Sequence, residues 1–137
     1  MAYSGYLMKI GSYTITGSKY VQFGTYEVTR KVQDLEPYRD ANGVLHRNAL
    51  DHVPLEVSFE LMGGLNNTQM SAFLGSIQNN YINALERKVS ATVYVPESDS
   101  YVTQYMYMVE PQLKIQRIDS KTNTVYYEAT TIKFIGY

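Results

Sequence analysis

Residues 35–61 read LEPYRDANGVLHRNALDHVPLEVSFEL, a long polar excursion followed by the most regular strand pattern in the chain. From Val53 to Leu61 the apolar side chains occupy every second position. The positions between them carry Pro54, Glu56, Ser58 and Glu60. Because successive side chains of a strand point to opposite faces, this alternation predicts a strand with one buried face and one wet face.

The residues before this strand, about 35–52, are predicted to form a long arm. The sequence Asp40-Ala41-Asn42-Gly43 favours a turn, since Asn and Gly both tolerate positive φ. Arg39 and Arg47 lie on either side of that turn. Long loops in compact domains are usually functional or mobile. The arm is therefore the first candidate for a contact surface.

Extended segments are also predicted on the N-terminal side of the arm. Tyr3–Ile10 and Tyr13–Thr16 can pair as a hairpin across Gly11-Ser12, whose residue types suit a tight turn. Thr25–Gln33 alternates polar with larger apolar side chains and predicts a second strand.

A single helix is predicted on the C-terminal side of the central strand. Asn66 or Asn67 can cap it, and Gln69 completes a capping box with Asn66. One helical face then carries the apolar residues Met70, Phe73, Leu74, Ile77, Tyr81 and Ile82, with Leu85 extending it. The pattern predicts a helix over about 67–87, ending at basic residues that suit a helix C-terminus.

The remainder of the chain is predicted to return as strands. Val89–Val95 and Tyr101–Val109 alternate clearly, Leu113, Ile115 and Arg117 mark a shorter strand, and Thr124–Tyr137 reads as one long closing strand. Tyr101–Val109 carries apolar or aromatic side chains on both faces, which predicts cover on both sides and suggests a partner chain. The whole is a mainly β (α+β) fold of about seven or eight strands and one helix, in a single domain over residues 1–137.

Composition excludes several classes of function. A net charge of -1 gives no footprint for nucleic acid or an anionic membrane. The absence of cysteine excludes disulfides, zinc thiolates and thiol nucleophiles. No signal peptide or membrane span is expected. The 14 tyrosines suit strands and partly wet interfaces.

No catalytic, cofactor-binding or metal-binding residue is predicted. His46 and His52 lie near Asp40 and Asp51, but no ligand pattern of defined spacing surrounds them. The chain has no nucleophile elbow and no phosphate-binding loop. A small hydrolase would need two converging carboxylates, and the glutamates of the central strand lie on its wet face.

The order of elements and the sequence Arg-Asp-Ala-Asn-Gly-Val-Leu-His-Arg at 39–47 resemble the tail-tube proteins of tailed bacteriophages and their distal-tail, or baseplate-hub, relatives. The resemblance covers nearly the whole chain. It implies a two-sheet β-sandwich or tail-tube-like barrel with a flanking helix, in which subunits form sixfold rings and the sheets of neighbours line a lumen. It also implies that the long loop reaches another subunit or ring.

Carried onto this sequence, the resemblance implies a subunit interface made by arm residues and by two tyrosines of the 101–109 strand: Arg39, Asp40, Asn42, Gly43, His46, Arg47, Tyr105 and Tyr107. The two arginines would pair with acidic groups of a neighbour. The implied partners are copies of the chain in a hexameric ring and other tail proteins, with DNA passing through the lumen without specific binding. The implied location is the virion tail, assembled in the host cytoplasm.

Two points stay open at this level. A lumen that passes DNA is commonly acidic, whereas the 13 acidic residues here only balance the 12 basic ones. The element of the tail, whether tube, terminator, completion protein or baseplate, is not specified. The alternative function is a monomeric, tyrosine-rich β-sandwich that binds a carbohydrate or a peptide.

Overall fold

The computed structural model describes residues 3–16, 20–22, 24–30, 38–47 and 54–137. Its strands are β1 (Met8–Ile10), β2 (Tyr13–Ile15), β3 (Glu27–Arg30), β4 (Tyr38–Arg39), β5 (Leu45–His46), β6 (Leu55–Leu61), β7 (Leu65–Asn66), β8 (Lys88–Val95), β9 (Ser100–Met108), β10 (Ile115–Asp119), β11 (Thr124–Tyr127) and β12 (Thr130–Gly136). The helix α1 spans Asn67–Gln78. The predicted mainly β fold with one flanking helix is confirmed.

Three antiparallel sheets organise these strands. The main sheet has seven strands in the order β2-β1-β8-β9-β12-β6-β3, a smaller sheet has the order β10-β11-β7, and β4 pairs only with β5. The predicted N-terminal hairpin is confirmed as the pair β1–β2. No helix in the described part of the chain is long and apolar enough to cross a membrane.

The central strand has the predicted alternation. Leu55, Val57, Phe59 and Leu61 are buried, and the side chains between them are only half-buried. β6 lies between β12 and β3, and its four buried side chains belong to the hydrophobic core. Val53, the first residue of the predicted strand, lies outside the described residues.

The main sheet curls so that its two ends approach each other. Tyr26, just before the edge strand β3, places its hydroxyl oxygen 2.9 Å from the carbonyl oxygen of Tyr94 in β8 and 3.2 Å from that of Leu7, which precedes β1. Burial, with Tyr101 and Tyr94 adding to the effect, raises the pKa of the Tyr26 hydroxyl well above its usual range. The sheet is therefore barrel-like rather than flat.

Helix α1 packs across the core face of the curled sheet. Its start is confirmed as a capping box, in which the Asn66 side chain accepts from the Gln69 backbone N–H at 2.8 Å and the Gln69 side chain accepts from the Asn66 N–H at 3.1 Å. Phe73 lies at its centre, with ring contacts to Tyr13, Tyr20 and Phe59.

The helix ends at Gln78, so the prediction of a helix to about residue 87 was wrong. The Asn80 side chain donates to the carbonyl of Ser76 at 2.9 Å, the group that its own backbone N–H would bind in a continuing helix. Asn83 then accepts the backbone N–H of Leu85 at 3.1 Å. Asparagine side chains thus replace helical hydrogen bonds, and Leu85 is 98% exposed instead of packed on a helical face.

The closing stretch is two strands in different sheets, and the prediction of one strand over 124–137 was wrong. β11 pairs with β10 and β7, whereas β12 lies between β9 and β6 in the main sheet. The chain changes sheet at Glu128 and Ala129, where the hydroxyl of the buried Thr130 donates to the Glu128 carbonyl at 3.1 Å.

Candidate subunit interface

The described part of the arm, residues 38–47, is a hairpin shaped around Asp40. One carboxylate oxygen of Asp40 accepts the backbone N–H groups of Asn42 at 2.9 Å and Val44 at 3.0 Å. The other lies 2.9 Å from Nε2 of His46. The hydrogen bond from His46, followed by those from the backbone, holds the pKa of Asp40 below its usual range. Asp40 and His46, two of the predicted interface residues, therefore stabilise the hairpin of their own chain.

The tip and the base of the hairpin are also ordered internally. Gly43 has φ +78°, a left-handed conformation that suits glycine. Its carbonyl accepts a hydrogen bond from the Arg39 guanidinium at 3.0 Å. The rings of Tyr38 and His46 stack with centroids 4.8 Å apart and planes inclined by 10°. The arm thus has a defined shape that a partner can recognise.

The described hairpin is exposed along almost its whole length. All its described residues are exposed except the half-buried Asp40. These exposed residues include the apolar side chains of Tyr38, Val44 and Leu45. The hydrogen bonds described for residues 38–46 stay within the hairpin. A two-stranded hairpin is only marginally stable alone in water, so the hydrogen bonds around Asp40 and the Tyr38–His46 stack are important for its shape.

The two predicted tyrosines lie on the outer face of β9. The Lys88 ammonium lies 4.8 Å from the ring centre of Tyr105 and 4.7 Å from that of Tyr137. Tyr107 and Tyr137 have ring centroids 5.8 Å apart. The Tyr137 hydroxyl donates to Glu86 at 3.0 Å, and partial desolvation followed by this hydrogen bond raises the pKa of Tyr137. These side chains form one connected aromatic surface.

The two faces of β9 have different environments. Met106 and Met108 belong to the buried core, whereas Tyr105 is 56% exposed on the other side. The described residues therefore cover one face of β9 and leave the other face partly exposed, so only half of the predicted cover comes from this chain. No described hydrogen bond or ring contact joins these tyrosines to residues 38–47 of the arm.

An acidic region lies on the outer face of β3 and β6. Glu27 is paired with Ser58, so its side chain shares a face with those of Glu56 and Glu60. Lys133 of β12 forms an ion pair with Glu56. Glu27, Ser58 and Glu60 line a cleft of about 360 Å³. The whole-chain charge balance conceals this local acidity.

A further exposed surface, which sequence reasoning missed, lies on β10. The register between β10 and β11 shifts between Ile115 and Arg117, so Ile115 pairs with Tyr127 and Ile118 pairs with Val125. The two isoleucines therefore share one face although they are three positions apart. They are 56% and 64% exposed. Simple alternation would place them on opposite faces, and no local signal marks the bulge.

No metal site emerges from residues 3–16, 20–22, 24–30, 38–47 and 54–137, where no three His, Asp or Glu side chains converge. His46 is engaged with Asp40, whereas His52 and Asp51, considered with it at the sequence level, lie outside these ranges.

The described residues define a class of protein: a curled β domain with one packed helix, edge strands at the ends of its sheets and an exposed hairpin. A chain of the structure described as "Tail of empty GTA particle computed with helical refinement, C6 symmetry" has a similar fold, with a TM-score of 0.54 and 10% sequence identity over 99% of this chain and 95% of that chain. This protein belongs to the family described as "Family of unknown function (DUF6711)", whose sequence model matches residues 1–137. No curated protein matches the chain.

Proposed function

We propose that this protein is a structural, non-catalytic subunit of the tail of a bacteriophage or phage-like particle, and that it assembles as a six-membered ring. The observation that carries the proposal is the shared fold along 99% of the chain with a protein of a C6-symmetric tail. The exposed hairpin and the edge strands of the described sheets supply surfaces that a ring can use.

In this proposal the arm is the contact with a neighbouring subunit or ring. Arg39 uses one of its donors on the Gly43 carbonyl. A guanidinium has five N–H donors, so the same group can bind the Gly43 carbonyl and a carboxylate of the neighbour. Tyr38, Val44 and Leu45 supply the apolar part of the contact, and Asp40 with His46 keeps the hairpin in shape.

The outer face of the main sheet is proposed to line the lumen. Glu27 and Glu60 give one part of this face an acidic character, whereas the charge of Glu56 is offset by Lys133. Like charge would keep DNA from adhering to the wall as it passes. Other proteins of the tail are the expected partners above and below the ring, and the virion tail is the proposed location.

Mass measurement in solution and imaging of assembled material test the proposal. Native mass spectrometry is expected to detect six-subunit species, and electron microscopy of concentrated protein or of particles is expected to show rings or tubes. A protein that stays monomeric at high concentration and is absent from particle tails would refute the proposal.

The alternative of a monomeric carbohydrate- or peptide-binding module has less support. A sugar would stack on exposed tyrosine rings, but the Lys88 ammonium lies over one face of both Tyr105 and Tyr137. Titration with glycans or peptides separates the two functions, since only the binding module should saturate.

A further inference from the structure

Two of the edge strands in the described sheets carry matching side chains. β10 is the last strand of the three-stranded sheet, and β3 is the last strand of the seven-stranded sheet. In the part of the chain that the structure describes, each has a strand partner on one side only. Unpaired backbone N–H and C=O groups at such edges readily accept another strand.

The apolar face of the small sheet continues beyond the core of the protein. Leu65 is buried and pairs with Tyr127, which in turn pairs with Ile115 on β10. Ile118 extends the same face at the next row. This row of side chains starts in the core and ends on an exposed edge strand. Such continuation is typical of a sheet that a further strand extends.

We propose that β10 of one copy pairs with β3 of a second copy, antiparallel and edge to edge. The proposal rests on the ring-forming function proposed above and deepens it by naming the two surfaces that meet. The occupant is a second copy because the chain itself carries the complementary edge. Contacts between two different surfaces of identical subunits are the kind that closes a ring.

The side chains of the two strands match on both faces of the joined sheet. The bulge in β10 sets the register, and the expected pairs are Ile115 opposite Val28, Arg117 opposite Glu27 and Ile118 opposite Tyr26. The first and last pairs are apolar or aromatic, and the middle pair combines opposite charges on the other face. The half-buried Val28 and Tyr26 would then lie beside the exposed isoleucines.

Charge complementarity favours β3 over the other open edge of the main sheet. β10 carries Arg117 and follows Lys114, and the face of β3 and β6 carries glutamates. The other edge strand, β2, has the sequence Tyr-Thr-Ile and no carboxylate. Arg117 of β10 therefore has a carboxylate partner at β3, where Glu27 lies, and none at β2.

Charge reversal with rescue tests this pairing. Arg117→Glu alone and Glu27→Lys alone are each expected to weaken association by about tenfold or more, because each places like charges opposite one another. The double variant Arg117→Glu/Glu27→Lys restores opposite charges and is expected to recover association. Lys121→Glu, in the turn after β10, is the matched control and should leave association unchanged.

A second measurement covers the loss of a contact within the chain, because the Arg117 guanidinium lies 3.8 Å from the ring centre of Tyr126. The chain has no cysteine, so single-cysteine variants can be mixed and oxidised. Arg117→Cys with Glu27→Cys is expected to give a mixed disulfide, and Arg117→Cys with Thr14→Cys on β2 is the control pair.

The outcomes separate this inference from the function on which it rests. Rescue by the double variant and preferential cross-linking of positions 117 and 27 support the pairing. Wild-type rings that tolerate both single reversals, or equal cross-linking of the two cysteine pairs, overturn the pairing and leave the ring function standing. A wild-type protein that never associates overturns both.

Discussion

The hydroxyl oxygen of Tyr26 lies 2.9 Å from the carbonyl oxygen of Tyr94. This contact joins the edge of the main sheet at β3 to β8, which lies near the opposite edge. Four strand-to-strand steps separate β3 from β8 along the sheet order, but the side chain of Tyr26 spans this separation in space. A single side chain therefore fastens the curl of the sheet.

Tyr26→Phe is expected to lower the free energy of unfolding by about 1 kcal/mol, because it removes this hydrogen bond and keeps the ring packing. Denaturant unfolding followed by circular dichroism measures the change. Tyr105→Phe, which alters an exposed hydroxyl, is the control and should have little effect. Equal stability of the two variants would contradict a fastening role for Tyr26.

Asn66→Ala is expected to cost about 1 kcal/mol, since it removes the N-cap of the only helix in the described chain. Thermal unfolding checks this value. The exposed neighbour Thr68 provides the comparison, and Thr68→Ala should change stability much less. If the N-cap contributed nothing to stability, Asn66→Ala and Thr68→Ala would unfold at the same temperature.

Phe73→Ala is expected to cost about 3–5 kcal/mol, because it opens a cavity where the helix meets three aromatic rings. This is a large fraction of the stability of a typical domain. Phe73→Leu fills more of the space and should cost less. Chemical denaturation of both variants gives the order, and a reversed order would argue against tight packing at this site.

Acid is expected to loosen the arm through Asp40. The pKa of this carboxyl is lowered in the folded hairpin, so its contribution to hairpin order is complete above the pKa of the unfolded chain and is lost as the pH falls through the folded value. NMR titration of the Asn42 and Val44 amides follows the loss. In Asp40→Asn the same amides should show no such acid transition. A transition that persists in this variant would have to come from another titrating group.

Leu45→Asp is expected to abolish association while leaving the monomer folded, because the side chain lies on the exposed hairpin. Met62→Asp is a matched control, since Leu45 is 44% exposed and Met62 39% exposed, on different parts of the surface. Sedimentation velocity measures association. If both variants assembled like the wild type, the arm would not be a contact.

Local pattern was sufficient for much of this fold. The alternation of apolar and polar residues over β6 predicted a strand with one buried face. The prediction was correct because the buried side chains of β6 are those at the apolar positions. The asparagine and glutamine at 66 and 69 predicted the start of the helix, since capping depends on residues adjacent in sequence. The Asn42-Gly43 turn of the arm was predictable for the same reason.

The errors occurred where distant pairing or side-chain competition decides the structure. Helical periodicity continues through Tyr81 and Leu85, but the side chains of Asn80 and Asn83 bind backbone groups that helix continuation would need. Nothing at Glu128 and Ala129 resembles a turn, because the break there is set by the pairing of β11 with β7. The bulge in β10 arises in the same way.

The predicted interface residues of the arm stay a prediction, and their arrangement was only partly accessible from the sequence. The turn placed Arg39 and Arg47 on either side of one tip. It did not reveal that Asp40 and His46 bind each other, which depends on the register of β4 with β5. The acidic face of β3 and β6 also depends on the register of these strands. The net charge of the whole chain does not reveal such a local group of glutamates.

The change of sheet at Glu128 and Ala129 has a mechanical consequence. The strand that leaves the small sheet enters the main sheet between β9 and β6, near its middle. A displacement of β11 would therefore reach, two residues later, an interior strand that is hydrogen-bonded on both sides. Buried Leu65 of β7 gives the small sheet a second attachment, so the two sheets are expected to move as one unit.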